Sequence, residues 1–265
     1  MIRLGTVSFL NSKPLTFALE EKIVESDFEV IATPPADLST KLYKKEIDVG
    51  LIPVAELLKR KSYSVLPDIS ISSNGKVDSV ILLSRGELKD VSSVAVDRRS
   101  QSSTALLRII LEIFYNLSPV YEPRDISKGF LNGVDGGMLI GDAGLETMYS
   151  PPDGYRVYDL GEIWTEQTGL PFVYAVFAVN RGVKLGRNLE ALYESKAYGL
   201  GILRKIAKLE SRKIGLSEEI CFKYLSDRIR YDFGENEVAG IVRYSELLSE
   251  LGESDKITGV NIYPA

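Results

Sequence analysis

Residues 170–180 read LPFVYAVFAVN, an apolar run rich in Val and Phe, and only helical patterns follow it, near 188–209, 217–226 and 235–251. Helices without a sheet of their own need one to cover. Upstream of that run, strand and helix patterns alternate, which predicts an α/β fold with largely parallel sheets. The first unit holds extended RLGTVSF, FEVIAT and IDVGLIP with helical LTFALEEKI, ADLSTKLYKKE and VAELLKRK. Two more extended segments follow, VLPDISISS (65–73) and VDSVILLS (77–84). A second unit starts at SSVAVD (92–97), continues through the polar turn RRSQSS and the apolar helix TALLRIILEIFYNL, and reaches strands PVYEP and GGMLIGD around a helix-like RDISKGFLNG. YRVYDLG is its last strand, with EIWTEQTG behind it.

One short α/β unit, a second complete one and then helices alone imply that the C-terminal helices return to the first sheet. The extended runs around 77–84 and 173–180 are then the crossings between two lobes, with residues 1–83 and 180–265 forming lobe 1 and residues 84–179 forming lobe 2. This is an α/β, two-lobed, periplasmic-binding-protein-like (type II) arrangement with two interdomain crossing strands and a ligand cleft between the lobes. No internal repeat is apparent in the sequence.

At 265 residues and 45% hydrophobic content, the chain can bury one large core or two modest ones. Its net charge of −5, with Lys and Arg scattered among Asp and Glu, argues against nucleic acid as a partner. No apolar run reaches membrane-spanning length, and the N-terminus reads as a strand from Ile2, so a cytoplasmic protein without membrane contact is expected. The single cysteine, Cys221, excludes an intrachain disulfide, and SEEICFKYL puts it on the apolar side of an amphipathic helix as an inert core thiol. Histidine, the commonest metal ligand and general base, does not occur. Any catalysis must therefore use carboxylates, amides, hydroxyls, Lys, Tyr, the backbone or the substrate itself, and neither metal nor other cofactor is expected. Oligomeric state is not legible.

In open α/β sheets, ligands bind beyond the carboxyl ends of strands, where helix N-termini present unpaired N–H groups. The segments at those positions are SFLNSKP, IPVAE, DRRSQSST and IGDAG. They nominate Ser8, Asn11 and Ser12, Pro53, Ser102, Ser103 and Thr104, and Gly141 and Asp142 as ligand contacts. Helix N-termini attract anions, so two from each lobe suit a small ligand bearing carboxylates. The same residue types also cap helices in any protein. Ser79 opens a crossing run, and its hydroxyl either lines the cleft floor or faces water. Asp97, Arg98 and Arg99 form a ligand clamp or a solvated turn, Trp164 packs in the core or walls the cleft, and Glu162 is a base or a surface carboxylate.

SFLNSKPL, DVGLIPVAE, GKVDSVILLS, SSTALLRIIL, LIGDAGLE and DLGEIWTEQTGLPFVYAVF resemble, in that order, signature segments of the chorismate dehydratase family, which acts in menaquinone biosynthesis by the futalosine pathway. The matches run from residue 2 to about 180, and the C-terminal helices add little to them. The resemblance implies a two-lobed binding-protein fold used as a cytoplasmic carbon-oxygen lyase, with chorismate as substrate and 3-[(1-carboxyvinyl)oxy]benzoate as product. It also implies catalytic roles for the asparagine of the opening motif and the serine of G-x-V-x-S-V, here Asn11 and Ser79. A neutral amide is no base, so Asn11 orients substrate or water, and a substrate carboxylate is the attractive base. Phe9 stands where the family motif has Tyr, so a role resting on that phenol is not available here. The related dihydroxynaphthoate synthase opens with S-P-x-N-D-T-F, which this chain does not match. A non-catalytic binder or sensor of small carboxylates would share the fold and the helix ends.

Overall fold

Apolar segments interrupted by Gly and Pro set the order of elements. In the computed structural model, which describes residues 1–60, 62–97, 100–126 and 129–264, the chain begins with β1 (Ile2–Thr6), α1 (Lys13–Glu20), β2 (Phe28–Ala32), α2 (Pro35–Tyr43), β3 (Val49–Pro53), α3 (Val54–Lys59) and β4 (Tyr63–Ser73). It then forms β5 (Val80–Ser84), β6 (Ser93–Asp97), α4 (Gln101–Arg108), β7 (Val120–Arg124), β8 (Gly136–Ile140), α5 (Gly141–Tyr149), β9 (Arg156–Asp159) and α6 (Leu160–Thr168). Strand β10 (Phe172–Asn180) follows, and α7 (Arg187–Gly201), α8 (Leu203–Ile214), α9 (Glu218–Lys223) and α10 (Glu235–Glu250) complete the elements. Arg98 and Arg99 lie outside the described residues. Among the described residues, no helix is long and apolar enough to cross a membrane.

The strands make two 5-stranded sheets, ordered β2-β1-β3-β10-β4 and β7-β6-β8-β5-β9. In each, one strand opposes the rest: β10 runs antiparallel to β3 and β4, and β5 runs antiparallel to β8 and β9. The remaining neighbours are parallel. The two lobes therefore share one layout that the sequence does not display as a repeat. Helix α7 packs on α1, where the Ser195 hydroxyl donates to the Leu15 carbonyl at 2.8 Å and a Cβ at Gly199 would lie 2.0 Å from the Pro14 oxygen.

Sheet membership moves the expected lobe limits. Val80–Ser84 belongs to the second sheet and Phe172–Asn180 to the first, so both runs expected to cross between lobes are instead strands within one. Their residues are almost all buried, and apolar side chains on both faces need a sheet with cover on each side. The chain passes between lobes through residues 74–79 and again between β9 and β10, where Asn74, Gly75, Gly169 and Pro171 interrupt the apolar pattern. RDISKGFLNG is the second difference: 129–134 form turns in which Gly129 and Gly133 have φ of 91° and 72°, outside the helical region.

One carboxylate joins the two passages. Asp159 caps α6 by accepting the Gly161 and Glu162 N–H groups at 2.9 and 3.0 Å, and it accepts the Val77 and Asp78 N–H groups of the other passage at 3.0 and 2.7 Å. Burial raises the pKa of this carboxyl, and the backbone donors oppose the rise. The Thr165 hydroxyl adds a bond from Gly75 N–H at 2.8 Å. Gly161 keeps the passages close, because a Cβ there would meet the Tyr174 hydroxyl at 2.6 Å and the Gly75 carbonyl at 2.9 Å. Replacing Asp159 by Ala strands several buried donors and is expected to cost about 3–5 kcal/mol. Urea unfolding of the variant beside wild type checks this; an unchanged midpoint would refute the role.

Candidate active site between the lobes

The turn after β1 builds the first wall. Phe9 precedes a 3-10 turn, Leu10–Ser12, and α1 begins at once behind it with Pro14 in its first turn. Ser12 is fully buried, and its Oγ lies 2.7 Å from both the Val7 and Phe9 carbonyl oxygens. It therefore shapes the turn rather than capping α1 through its side chain. Ser8 is exposed and Asn11 half-buried.

The second lobe meets this turn with the start of α5. Gly141 has φ of 61°, and the Phe9 ring lies where its Cβ would be, at 2.9 Å. Next to it, Asp142 Oδ1 accepts the Leu10 N–H at 3.0 Å, a hydrogen bond between lobes. Burial pushes the Asp142 pKa up and Glu210 adds to that, while the Leu10 bond and Lys13 pull it down. A second bond between lobes joins Ala55 N–H, just past Pro53, to Ser102 Oγ at 3.1 Å. The Ser102 carbonyl accepts the Tyr244 hydroxyl at 3.0 Å. Ser103 is buried, and the half-buried Thr104 donates to Ser100 O at 2.7 Å. The starts of α3, α4, α5 and the turn before α1 thus converge on one interface.

Ser79 lies in the first passage, directly after Asp78, a non-glycine residue at φ of 60°. Ser79 is 1% exposed, and its hydroxyl accepts the Tyr224 hydroxyl at 2.8 Å. Asn11 is near the same phenol and helps hold its pKa down. The fold therefore brings Ser79 into contact with a residue that the sequence reading passed over, with Asn11 and Asp142 nearby. Tyr224 is buried, and burial together with the nearby Asp142 charge raises its pKa, against the pull of Ser79 and Asn11. Its signal was present in SEEICFKYL: a phenol on the buried face of an amphipathic helix needs a polar partner.

The other candidates sort differently. Trp164 is fully buried among Phe114, Phe172 and Tyr244, with Nε1 donating to Pro171 O at 3.3 Å, and is core. Glu162 is half-exposed at the start of α6, 3.5 Å from Lys76. Asp97 is buried at the end of β6. Cys221 is fully buried, its thiol pushed up to about 11 by burial and by Asp142, as an inert core thiol requires.

Asp142 carries a pH signature. Because its folded pKa is raised, its stabilising contribution is full below the unfolded value and is lost as pH rises through the folded one. Asp142→Asn keeps an acceptor for Leu10 without the charge, so its stability relative to wild type should improve as pH rises above about 4, the unfolded value. Thermal unfolding of both proteins across that range measures it, and a pH-independent difference would exclude this assignment.

Comparison with known proteins bears on the family and the fold. The profile of a family described as menaquinone biosynthesis matches residues 2–250. A chorismate dehydratase of Thermus thermophilus is 32% identical over 261 residues, covering 92% of this chain and 94% of the relative. Among solved structures, a protein of Archaeoglobus fulgidus superposes with a TM-score of 0.78 at 21% identity, covering 95% of this chain and 97% of the other. The alkanesulfonate-binding protein of Xanthomonas axonopodis pv. citri superposes with a TM-score of 0.74 at 15% identity, covering 100% and 98%. These likenesses show the fold, the two-lobed architecture of the periplasmic binding proteins. The matched span reaches from the first strand into the last helix, and the chain belongs to the menaquinone biosynthesis family.

Proposed function

We propose that this protein is a chorismate dehydratase, a hydro-lyase that removes water from chorismate to give 3-[(1-carboxyvinyl)oxy]benzoate. The observation that carries the reading is that Ser79, bonded to the buried Tyr224 hydroxyl, and Asn11, near the same phenol, come from different segments of the chain to the Leu10–Asp142 contact between lobes. The similarity to the Thermus enzyme supplies the substrate.

The reaction breaks one C–H and one C–O bond. Loss of the proton on the ring carbon bearing the enolpyruvyl ether gives a dienolate delocalised to the ring carboxylate. The neighbouring hydroxyl then departs as water, and aromatisation of the ring drives the sequence forward. Such chemistry needs donors on the carboxylates, a base in reach of the proton and a donor to the departing oxygen. The helix starts at Ser102–Thr104 and at Asn11–Ser12 offer the first. The enolpyruvyl carboxylate of the substrate serves as base, because the chain has no histidine and Asn11 is an amide. Asn11 then orients the substrate and Ser79 faces the leaving hydroxyl.

The test is incubation of the protein with chorismate, following ultraviolet absorbance and identifying the product by mass. The expected product is lighter by one water and has a benzoate spectrum. Asn11→Ala and Ser79→Ala should each lower turnover more than about tenfold with the fold retained. Unchanged chorismate with a folded protein would move the reading to a carboxylate sensor or the dihydroxynaphthoate synthase.

A further inference from the structure

We infer that the turn Tyr224–Arg228 positions Ser79 for the reaction, with Tyr224 orienting the serine hydroxyl. This rests on the dehydratase reading and adds a residue from the C-terminal helices to it. The turn is π-helical and directly continues α9. Such wide turns occur frequently at functional sites, and they displace side chains from the helical register.

Both ends of the turn grip the same dipeptide. Tyr224 donates to Ser79 Oγ at 2.8 Å, and Arg228 Nε donates to Asp78 Oδ2 at 2.8 Å. The Tyr149 hydroxyl also donates to Asp78 Oδ2, at 2.9 Å. Asp78 has a backbone conformation, φ of 60°, that non-glycine residues adopt only when surrounding contacts impose it. Arg228 and Tyr149 supply those contacts from the side chain, and Asp159 supplies another through the Asp78 N–H.

The chemistry follows from counting protons. A serine hydroxyl has one proton and two lone pairs. Once Oγ accepts from Tyr224, its own proton is left to donate elsewhere, and in the dehydratase reading the acceptor is the departing hydroxyl of the substrate. Tyr224 remains a donor at neutral pH because burial opposes the phenolate. Tyr224 acts through Ser79 and is a positioning residue.

A double-mutant cycle tests this with Tyr224→Phe, Ser79→Ala and the pair, after thermal unfolding shows each folded. Tyr224→Phe is expected to lower kcat about tenfold or more with KM changed less than about threefold, and to have little further effect on kcat once Ser79 is Ala. A purely structural role would lower kcat by the same factor in both backgrounds, and that result overturns the proposal, as does a fully active Tyr224→Phe. If Tyr224→Phe does not fold, Arg228→Gln loosens the same turn with the phenol in place. It should also lower kcat in the wild-type background and leave the Ser79→Ala background unaffected; equal losses in both would overturn the clamp. Wild-type protein inert toward chorismate overturns the dehydratase reading and this role with it. An active wild type with an undiminished Tyr224→Phe overturns the role alone.

Discussion

The position of everything in the cleft depends on the buried carboxylate of Asp159. A carboxylate can accept several hydrogen bonds, and this one takes backbone donors from both passages between the lobes. Its cost in desolvation is visible as a raised pKa, and the donors offset that cost only while both passages stay in place. The arrangement fixes Asp78, and through it Ser79, relative to the start of α6. Two lobes that touch elsewhere through the Leu10–Asp142 and Ala55–Ser102 bonds are thus registered at one fixed point and at two contacts distant from it in sequence.

Much of the fold was legible because its signals are local. LPFVYAVFAVN and VDSVILLS read as strands, and both are strands in the structure. Which sheet each run joined was not legible, since an apolar run does not declare its partners. Gly75 and Gly169 were the better markers of the passages. RDISKGFLNG looked helical from its apolar spacing, yet Gly129 and Gly133 favour turns.

The site was legible where a motif carried it. Asn11 and Ser79 stand out by sequence, and the fold bonds Ser79 to Tyr224 with Asn11 near the same phenol. Tyr224 did not stand out, because its partner is 145 residues away and no local pattern encodes that distance. Ser12 and Ser102 show the converse problem. A hydroxyl near a helix start is equally suited to a ligand, a turn carbonyl or a neighbouring lobe, and here each has a partner within the protein. Trp164 was ambiguous for a similar reason until Phe114, Phe172 and Tyr244 were seen around it.

The placement of β10 between β3 and β4 has a consequence for synthesis of the chain. During translation, β4 emerges about one hundred residues before β10, its partner strand in the sheet, and the segments that bridge its other edge, at Arg230 and Ile262, emerge later still. For the whole of that interval the nascent first lobe carries an unpaired apolar segment, the kind of edge that invites misassociation. The second lobe, contiguous in sequence, can close meanwhile. The sheet of the first lobe therefore lacks one of its strands until the second lobe has emerged, and the Tyr224–Ser79 bond forms later still.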